Sequence, residues 1–422
     1  MTNPATLGAI EARRLIARKQ LSPVELAQAC IAQVETLDHA VNALIARDFD
    51  GMLEGAKKAE TAVMSGAPLG ALHGLPFAVK DMIDVTGLPT TFGSEAFADN
   101  IATGDDAIVA AMRAAGGLPM GKTNTPEWSA GGNTRNRVNG VTANPYDLTR
   151  TCAGSSGGSA VALACDYAPL ATGSDTGGSL RNPAAYCGIV GYRPSPGVVP
   201  GNTRAAGLIP MPTSGPMARS VADAGLMLSV LARPDRNDPF TTVIDGQTPW
   251  NAASFANLPR RDLTSLRIAV TEDYGFAPTE RMIRNHFRAI LPKLAPFLGD
   301  MIEATPDCTD ADRIFSVLRG VQFLGVHAKL YDETPDQVGP NVADNVREGR
   351  SYSAEDVAQA IFAQGRYHRD WQAFFELHDF IISPAVTISP RPWRELYPTE
   401  IDGTPTKSYY HWLAMAYAST IP

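Results

Sequence analysis

The sequence predicts an α/β fold, with residues 1–422 forming one α/β/α sandwich domain. Three observations point there. Amphipathic helical patterns alternate with short apolar runs of strand length. Capping residues and glycine stops punctuate those patterns. Apolar residues make up 44% of the chain and charged residues 19%, which suits a globular protein with a sizeable core. At 422 residues there is length for two or three average domains, yet large α/β enzymes often keep a single core at this size. The sequence contains no internal repeat.

In chain order, the N-terminal third reads as helical. Ser22-Pro23-Val24-Glu25 supplies an N-cap, a first-turn proline and a capping-box glutamate, opening an amphipathic helix to Leu37. Residues 76–79 read as a buried strand ending at Lys80. A helix follows over 105–115, closed by Gly116-Gly117, and then a strand over 118–121. Glycine and serine dominate 149–200. Ser220 caps a helix to Leu231, and 233–261, polar and rich in Pro, Asn and Asp, reads as a long surface connection. Next come a strand over 266–270, a helix capped by Thr279 toward Lys293, and a mainly helical stretch over 310–377 with one helix at 353–375. A strand over 380–383 and a helix over 409–420 complete the pattern.

Composition excludes several functions. A net charge of −8 and a pI near 5.4 argue against a phosphate-binding surface, so no nucleic-acid partner is expected. No run of eighteen apolar residues occurs, so no membrane span is expected. Glu11, Arg13, Arg14, Arg18 and Lys19 interrupt any signal-peptide core, which makes the cytoplasm the expected location. Five cysteines without a C-x-x-C pair and seven scattered histidines suggest neither a disulfide framework nor a metal site.

The chemistry concentrates in two glycine-serine clusters, Gly154-Ser155-Ser156-Gly157-Gly158-Ser159 and Gly173-Ser174-Asp175-Thr176-Gly177-Gly178-Ser179. Such stretches are commonly linkers. These run directly into helix-compatible segments starting at Ala160 and Leu180, which a linker would not ordinarily do. A nucleophilic serine needs a base and N–H donors aimed at the developing oxyanion. Small residues let the amides of Thr176, Gly177, Gly178 and Ser179 converge as an anion-binding nest.

No partner histidine is evident, so the base must be sought among eight lysines. A free lysine is almost wholly protonated at neutral pH; lowering its pKa by about three units, or ~4 kcal/mol, requires burial. Lys80, at the end of an apolar strand, fits that demand. Lys19, Lys57 and Lys58 lie on polar faces. A competing reading pairs Lys80 with Asp81 or Asp84 in a structural ion pair. Gly116 to Thr123 matches the G-x-x-x-x-G-K-[ST] phosphate loop, but here a helix precedes the motif and a strand runs through it. Nucleotide binding is therefore not expected, and Lys122 reads as a loop-bonding residue.

The two clusters, together with Gly74-Leu75-Pro76-Phe77-Ala78-Val79-Lys80-Asp81, Gly121-Lys122-Thr123-Asn124-Thr125-Pro126-Glu127, Cys187-Gly188-Ile189-Val190-Gly191-Tyr192-Arg193-Pro194-Ser195 and Gly215-Pro216-Met217-Ala218-Arg219-Ser220-Val221-Ala222-Asp223, resemble the amidase signature family. The matching motifs are densest over 70–231. The resemblance implies an α/β/α sandwich around a large mixed, twisted β-sheet, acting without cofactor or metal on a small-molecule amide. It implies Ser179 as nucleophile, Ser155 in a cis peptide as proton relay, and Lys80 as base. Ser156 would support the relay by hydrogen bonding, and Asp175 and Arg181 would hold the oxyanion loop. Similar enzymes cleave carbamates, ureas or esters, and a glutamine-dependent amidotransferase subunit, delivering ammonia to a partner, is the alternative role. Trp128 and Met211, the latter in Gly207-Leu208-Ile209-Pro210-Met211, are candidates for the pocket lining or equally for the core. The sequence departs from the family at Cys152-Ala153, where Pro-Gly is usual. Similar proteins continue past the equivalent of Pro422 with a further strand and helix, so a shortened C-terminus is expected.

Overall fold

The computed structural model describes residues 3–201 and 204–422. They form a mixed α/β protein that packs as two compact units, Met1–Asp175 with Ser179–Leu258, and Thr176–Gly178 with Pro259–Pro422.

The first unit is built on a six-stranded sheet. Its strands are β1 (Leu44–Arg47), β2 (Pro76–Lys80), β3 (Leu118–Thr123), β4 (Leu170–Asp175), β5 (Val190–Gly191) and β6 (Thr213–Ala218), in the order β1-β3-β2-β4-β6-β5. The three central strands are parallel; β1 runs antiparallel to β3, β6 to β4 and β5 to β6. Strand β2 is buried along its whole length, as expected of a parallel strand covered on both faces. Phe77 and Val79 join one core cluster with Ile108 and Met112 of α4 (Ala107–Ala114) and Met227 and Leu231 of α7 (Val221–Leu231). Ala78 joins the opposite cluster, with Met52 and Ala56 of α3 (Phe49–Ser65) and Val161 and Leu163 of α5 (Gly157–Ala164). Lys80 follows Ala78 by two residues, so strand alternation directs it to the α5 side. Preceding these elements, α1 (Ala9–Ala17) packs on the first cluster and α2 (Pro23–Val41) contributes to both, α2 beginning with the Ser22–Glu25 capping box.

Of the six sheet strands only β2 and β3 are predicted from the sequence; β1, β4, β5 and β6 come from the structure, β1 and β5 being only 4 and 2 residues long. β4 reads Leu-Ala-Thr-Gly-Ser-Asp, and β6 contains Gly215 and Pro216, residues that weaken a strand pattern. Residues 233–261 form no strand or α-helix, only a short 3₁₀ turn at Ala252–Ala256.

The second unit contains a parallel three-stranded sheet, β7 (Ile268–Val270) flanked by β8 (Met301–Glu303) and β9 (Phe380–Ile382). Its helices are α8 (Arg281–Leu298), α9 (Ala311–Glu333), α10 (Pro340–Ser351), α11 (Ala354–Leu377) and α12 (Ala414–Ala418); α6 (Arg181–Cys187) belongs to the first unit. The 353–375 helix is present with a Ser353–Asp356 capping box. Two expectations change. Thr279 is not the cap of α8, because its hydroxyl donates to the Ala277 carbonyl and the helix starts after Glu280. The helix expected over 409–420 is a 3₁₀ turn, His411–Leu413, followed by the single short helix α12. Among the described residues no helix is long and apolar enough to cross a membrane.

Candidate active site

Strand β2 delivers Lys80 into the interior of the first unit, where it is wholly buried. Its Nζ lies 2.6 Å from Ser155 Oγ and 2.9 Å from Ser174 Oγ. No carboxylate among the described residues forms an ion pair with it. Burial pushes the Lys80 pKa down to about 7, against a smaller upward pull from the Asp175 charge. A neutral amine offers one lone pair and two N–H donors. Ser174 can therefore accept an N–H while the lone pair faces the Ser155 hydroxyl.

The competing pairing of Lys80 with Asp81 does not occur. Asp81 instead faces Lys122 from the adjacent strand, 3.4 Å away and equally buried. It also accepts hydrogen bonds from the Thr91 amide and hydroxyl. Lys122 donates to the Pro89 carbonyl and to Thr90 Oγ1. The phosphate-loop match thus has its lysine inside β3, committed to protein partners.

Ser155 and Ser156 sit at the start of α5, and the Gly154–Ser155 peptide bond is cis. Ser156 Oγ donates to the Ser174 carbonyl and accepts from the Ser174 amide, both at 3.3 Å, so it pins the strand that carries Ser174. Ahead of this turn, Ala153 adopts φ 61°, a left-handed conformation that favours glycine. At the Cys152-Ala153 departure, an alanine therefore occupies a backbone conformation suited to glycine. Thr134 holds it, donating to the Ala153 carbonyl from both its amide and its hydroxyl. Ala153→Gly is expected to raise stability by about 0.5–1 kcal/mol, measured by urea unfolding. A loss instead would show that the buried methyl contributes more than the backbone conformation costs.

After β4 the chain makes the second turn. Asp175 is buried and holds it from inside: it accepts from the Leu180 amide at 3.1 Å and from Arg181 Nε and Nη2 at 3.0 and 2.9 Å. Arg193 Nη1 reaches the Asp175 carbonyl at 2.6 Å and the Met211 carbonyl at 2.8 Å. Gly178, at φ 107°, occupies a conformation that side chains rarely adopt. The amides of Thr176, Gly177 and Ser179 donate to no acceptor among the described residues. Ser179 is half-buried and its carbonyl accepts from the Ser156 amide at 3.2 Å. Its hydroxyl makes no hydrogen bond among the described residues, so the structure joins Lys80 to Ser155 directly and ties Ser179 to them through the backbone.

The two pocket candidates fall in different surroundings. Trp128, half-buried at φ 50°, stacks on Phe92 at 4.4 Å and meets Phe97 edge-on at 5.1 Å. The Met211 side chain is fully buried. Sequence reasoning did not single out Ser174, although a hydroxyl beside a glycine on the strand next to Lys80 is the signal that could have found it.

The family profile for amidases matches residues 25–421. An acylamidase of Rhodococcus erythropolis is 35% identical over 404 residues, 94% of this chain and 82% of that protein. The A subunit of the glutamyl-tRNA(Gln) amidotransferase from Salinispora tropica is 37% identical over 309 residues, 72% of this chain and 62% of that protein. Among solved structures, a bacterial aryl acylamidase of the amidase signature enzymes superposes with a TM-score of 0.87 at 25% identity, covering 98% of this chain and 87% of that one. With the match running almost the full length and the fold shared, this chain belongs to the amidase family.

Proposed function

We propose that the protein hydrolyses a small-molecule amide through an acyl-enzyme, with Ser179 as nucleophile, Ser155 as proton relay and Lys80 as base. The observation that carries this reading is a buried lysine with no carboxylate partner among the described residues, its pKa brought to about 7, within 2.6 Å of the Ser155 hydroxyl. Neutral Lys80 takes the Ser155 proton as Ser155 takes that of Ser179, whose oxygen attacks the carbonyl carbon. The amides of Thr176, Gly177, Gly178 and Ser179 receive the oxyanion, each such donor contributing about 2.7–4 kcal/mol. The proton returns through Ser155 to the leaving nitrogen, the C–N bond breaks, and water repeats the sequence to release the acid. Ser174 and Ser156 orient the relay, Asp175 and Arg181 brace the oxyanion loop, and Trp128 forms part of the pocket wall, with Met211 supporting the loop from behind. Carbamates and esters present the same carbonyl geometry and are further substrates in this reading.

The long match to an acylamidase favours a stand-alone enzyme. The match to amidotransferase A subunits supports a second role, in which glutamine is the amide and ammonia passes to a partner. Glutaminase activity together with copurification of a partner separates the two.

The test is labelling of the wild-type protein with a fluorophosphonate, followed by peptide mass spectrometry. The label is expected on Ser179, and the labelling rate should rise through a single ionisation near pH 7 and level off above it, because only the neutral amine accepts a proton. A label elsewhere, or a flat profile between about pH 6 and 9, defeats the reading.

A further inference from the structure

Helix α11 turns one face of the second unit to solvent. It packs on α9, and its buried residues Ala360, Ala363, Tyr367 and Trp371 mark the inward stripe. At about 100° of rotation per residue, Phe362 falls on the far side of the helix from that stripe. Its ring is 75% exposed. Seven-residue steps along the same face lead from Phe362 back to Glu355 and on to Arg369, both exposed. Among the described residues neither forms an ion pair, although Glu355 accepts a hydrogen bond from Gln359 Nε2 at 3.0 Å. About one turn from Phe362 on either side stand Ala358 and Gly365, small residues that let another helix come close.

Beside Phe362 lies a hollow of 470 Å³, lined in part by Ala358 and Ala363 and by four charged side chains, Asp310, Arg313, Glu355 and Arg366. Two cations and two anions cancel there, and the arginines already have partners. Arg366 pairs with Asp310 at 3.4 Å, and Arg313 pairs with Asp356. An ionic ligand therefore gains little in this hollow. An uncharged aromatic ring meets alanine methyls and guanidinium groups, both of which suit it.

The face is complementary to itself. When two copies of α11 lie antiparallel with Phe362 at the centre, positions equally far before and after it come opposite each other. Each Glu355 then faces the second copy's Arg369, about 10 Å along the axis from the aromatic pair. A parallel arrangement would instead set glutamate against glutamate and arginine against arginine, which repel.

We propose that α11 is a dimerisation surface, on which two copies of this chain pair antiparallel across Phe362. Each Phe362 ring seats in the hollow of the other copy, and each Glu355 pairs with the second copy's Arg369. The contact is isologous, the same patch serving both molecules. It involves the second unit alone and is independent of the catalytic reading. A contact centred on one helix face is small, so a Kd of about 1–10 μM is expected.

Sedimentation velocity from about 0.5 to 100 μM tests this, and the wild-type protein should pass from monomer to dimer across that range. Phe362→Asp should remain monomeric throughout with an unchanged circular dichroism spectrum and kcat, because the ring is exposed and outside the catalytic machinery. Glu355→Arg alone and Arg369→Glu alone should each raise Kd by about tenfold or more, since each sets like charges opposite one another twice. Mixed in equal amounts, these two variants should form a heterodimer, because every facing pair is again of opposite sign. A residue that merely supports the fold would not recover on mixing. A wild-type protein that stays monomeric at about 100 μM overturns the proposal. So does a dimer that Phe362→Asp leaves intact, or a loss by charge reversal that mixing does not repair.

Discussion

Lys80→Met is expected to lower kcat by about four orders of magnitude or more while making the fold more stable. The two effects share one cause. Lys80 is wholly buried and no carboxylate among the described residues forms an ion pair with it, so its pKa falls from 10.5 to about 7. A depressed lysine pKa means that folding opposes the bound proton. Below pH 7 the folded protein carries a buried ammonium, and the destabilisation is complete. Between pH 7 and 10.5 the unfolded chain still binds a proton that the folded chain has released, so stability rises with pH across that window, by about 5 kcal/mol for this one group. Methionine of similar length removes the charge and with it the pH dependence. Against this stand the lost contacts to Ser155 and Ser174, so a net gain of about 1–3 kcal/mol at pH 7 is expected. Urea unfolding of both proteins from pH 6 to 10 tests this: the gap should narrow as pH rises. A variant less stable than wild type at every pH would show that Lys80 contributes as a bonded structural residue, and the case for a neutral base would go with it.

Ser179→Ala is expected to reduce kcat by about 10⁴–10⁶-fold and to abolish fluorophosphonate labelling, with little change in stability. The half-buried hydroxyl bonds to nothing among the described residues, so its loss leaves no buried partner unsatisfied. Ser155→Ala should be comparably inactive for a different reason. It deprives the Lys80 lone pair of its route to Ser179, while Ser179 itself remains in place. The informative comparison is labelling at high pH. Hydroxide replaces the missing base only where the nucleophile survives, so slow labelling should return for Ser155→Ala and not for Ser179→Ala. Equal residual labelling in both variants would show that another nucleophile reacts.

Much of this protein was legible in the order of its residues. Apolar runs ending in Lys80 and Gly121, the capping box at Ser22, the helical pattern over 353–375 and the spacing of two glycine-serine turns are local signals, and local backbone preferences are what a sequence states most directly. β4 and β6 were not legible, because their small and polar residues fit a strand only once neighbours on both sides supply the hydrogen bonds.

The sequence by itself determined the family, the α/β class and the lysine and serines on which the proposed chemistry rests. Only the tertiary structure decided which charges meet. It paired Asp81 with Lys122 and left Lys80, among the described residues, with two hydroxyls and no ion-pair partner. Burial and partner choice are properties of residues far apart along the chain. They set the energy of a charge, and no local pattern encodes them.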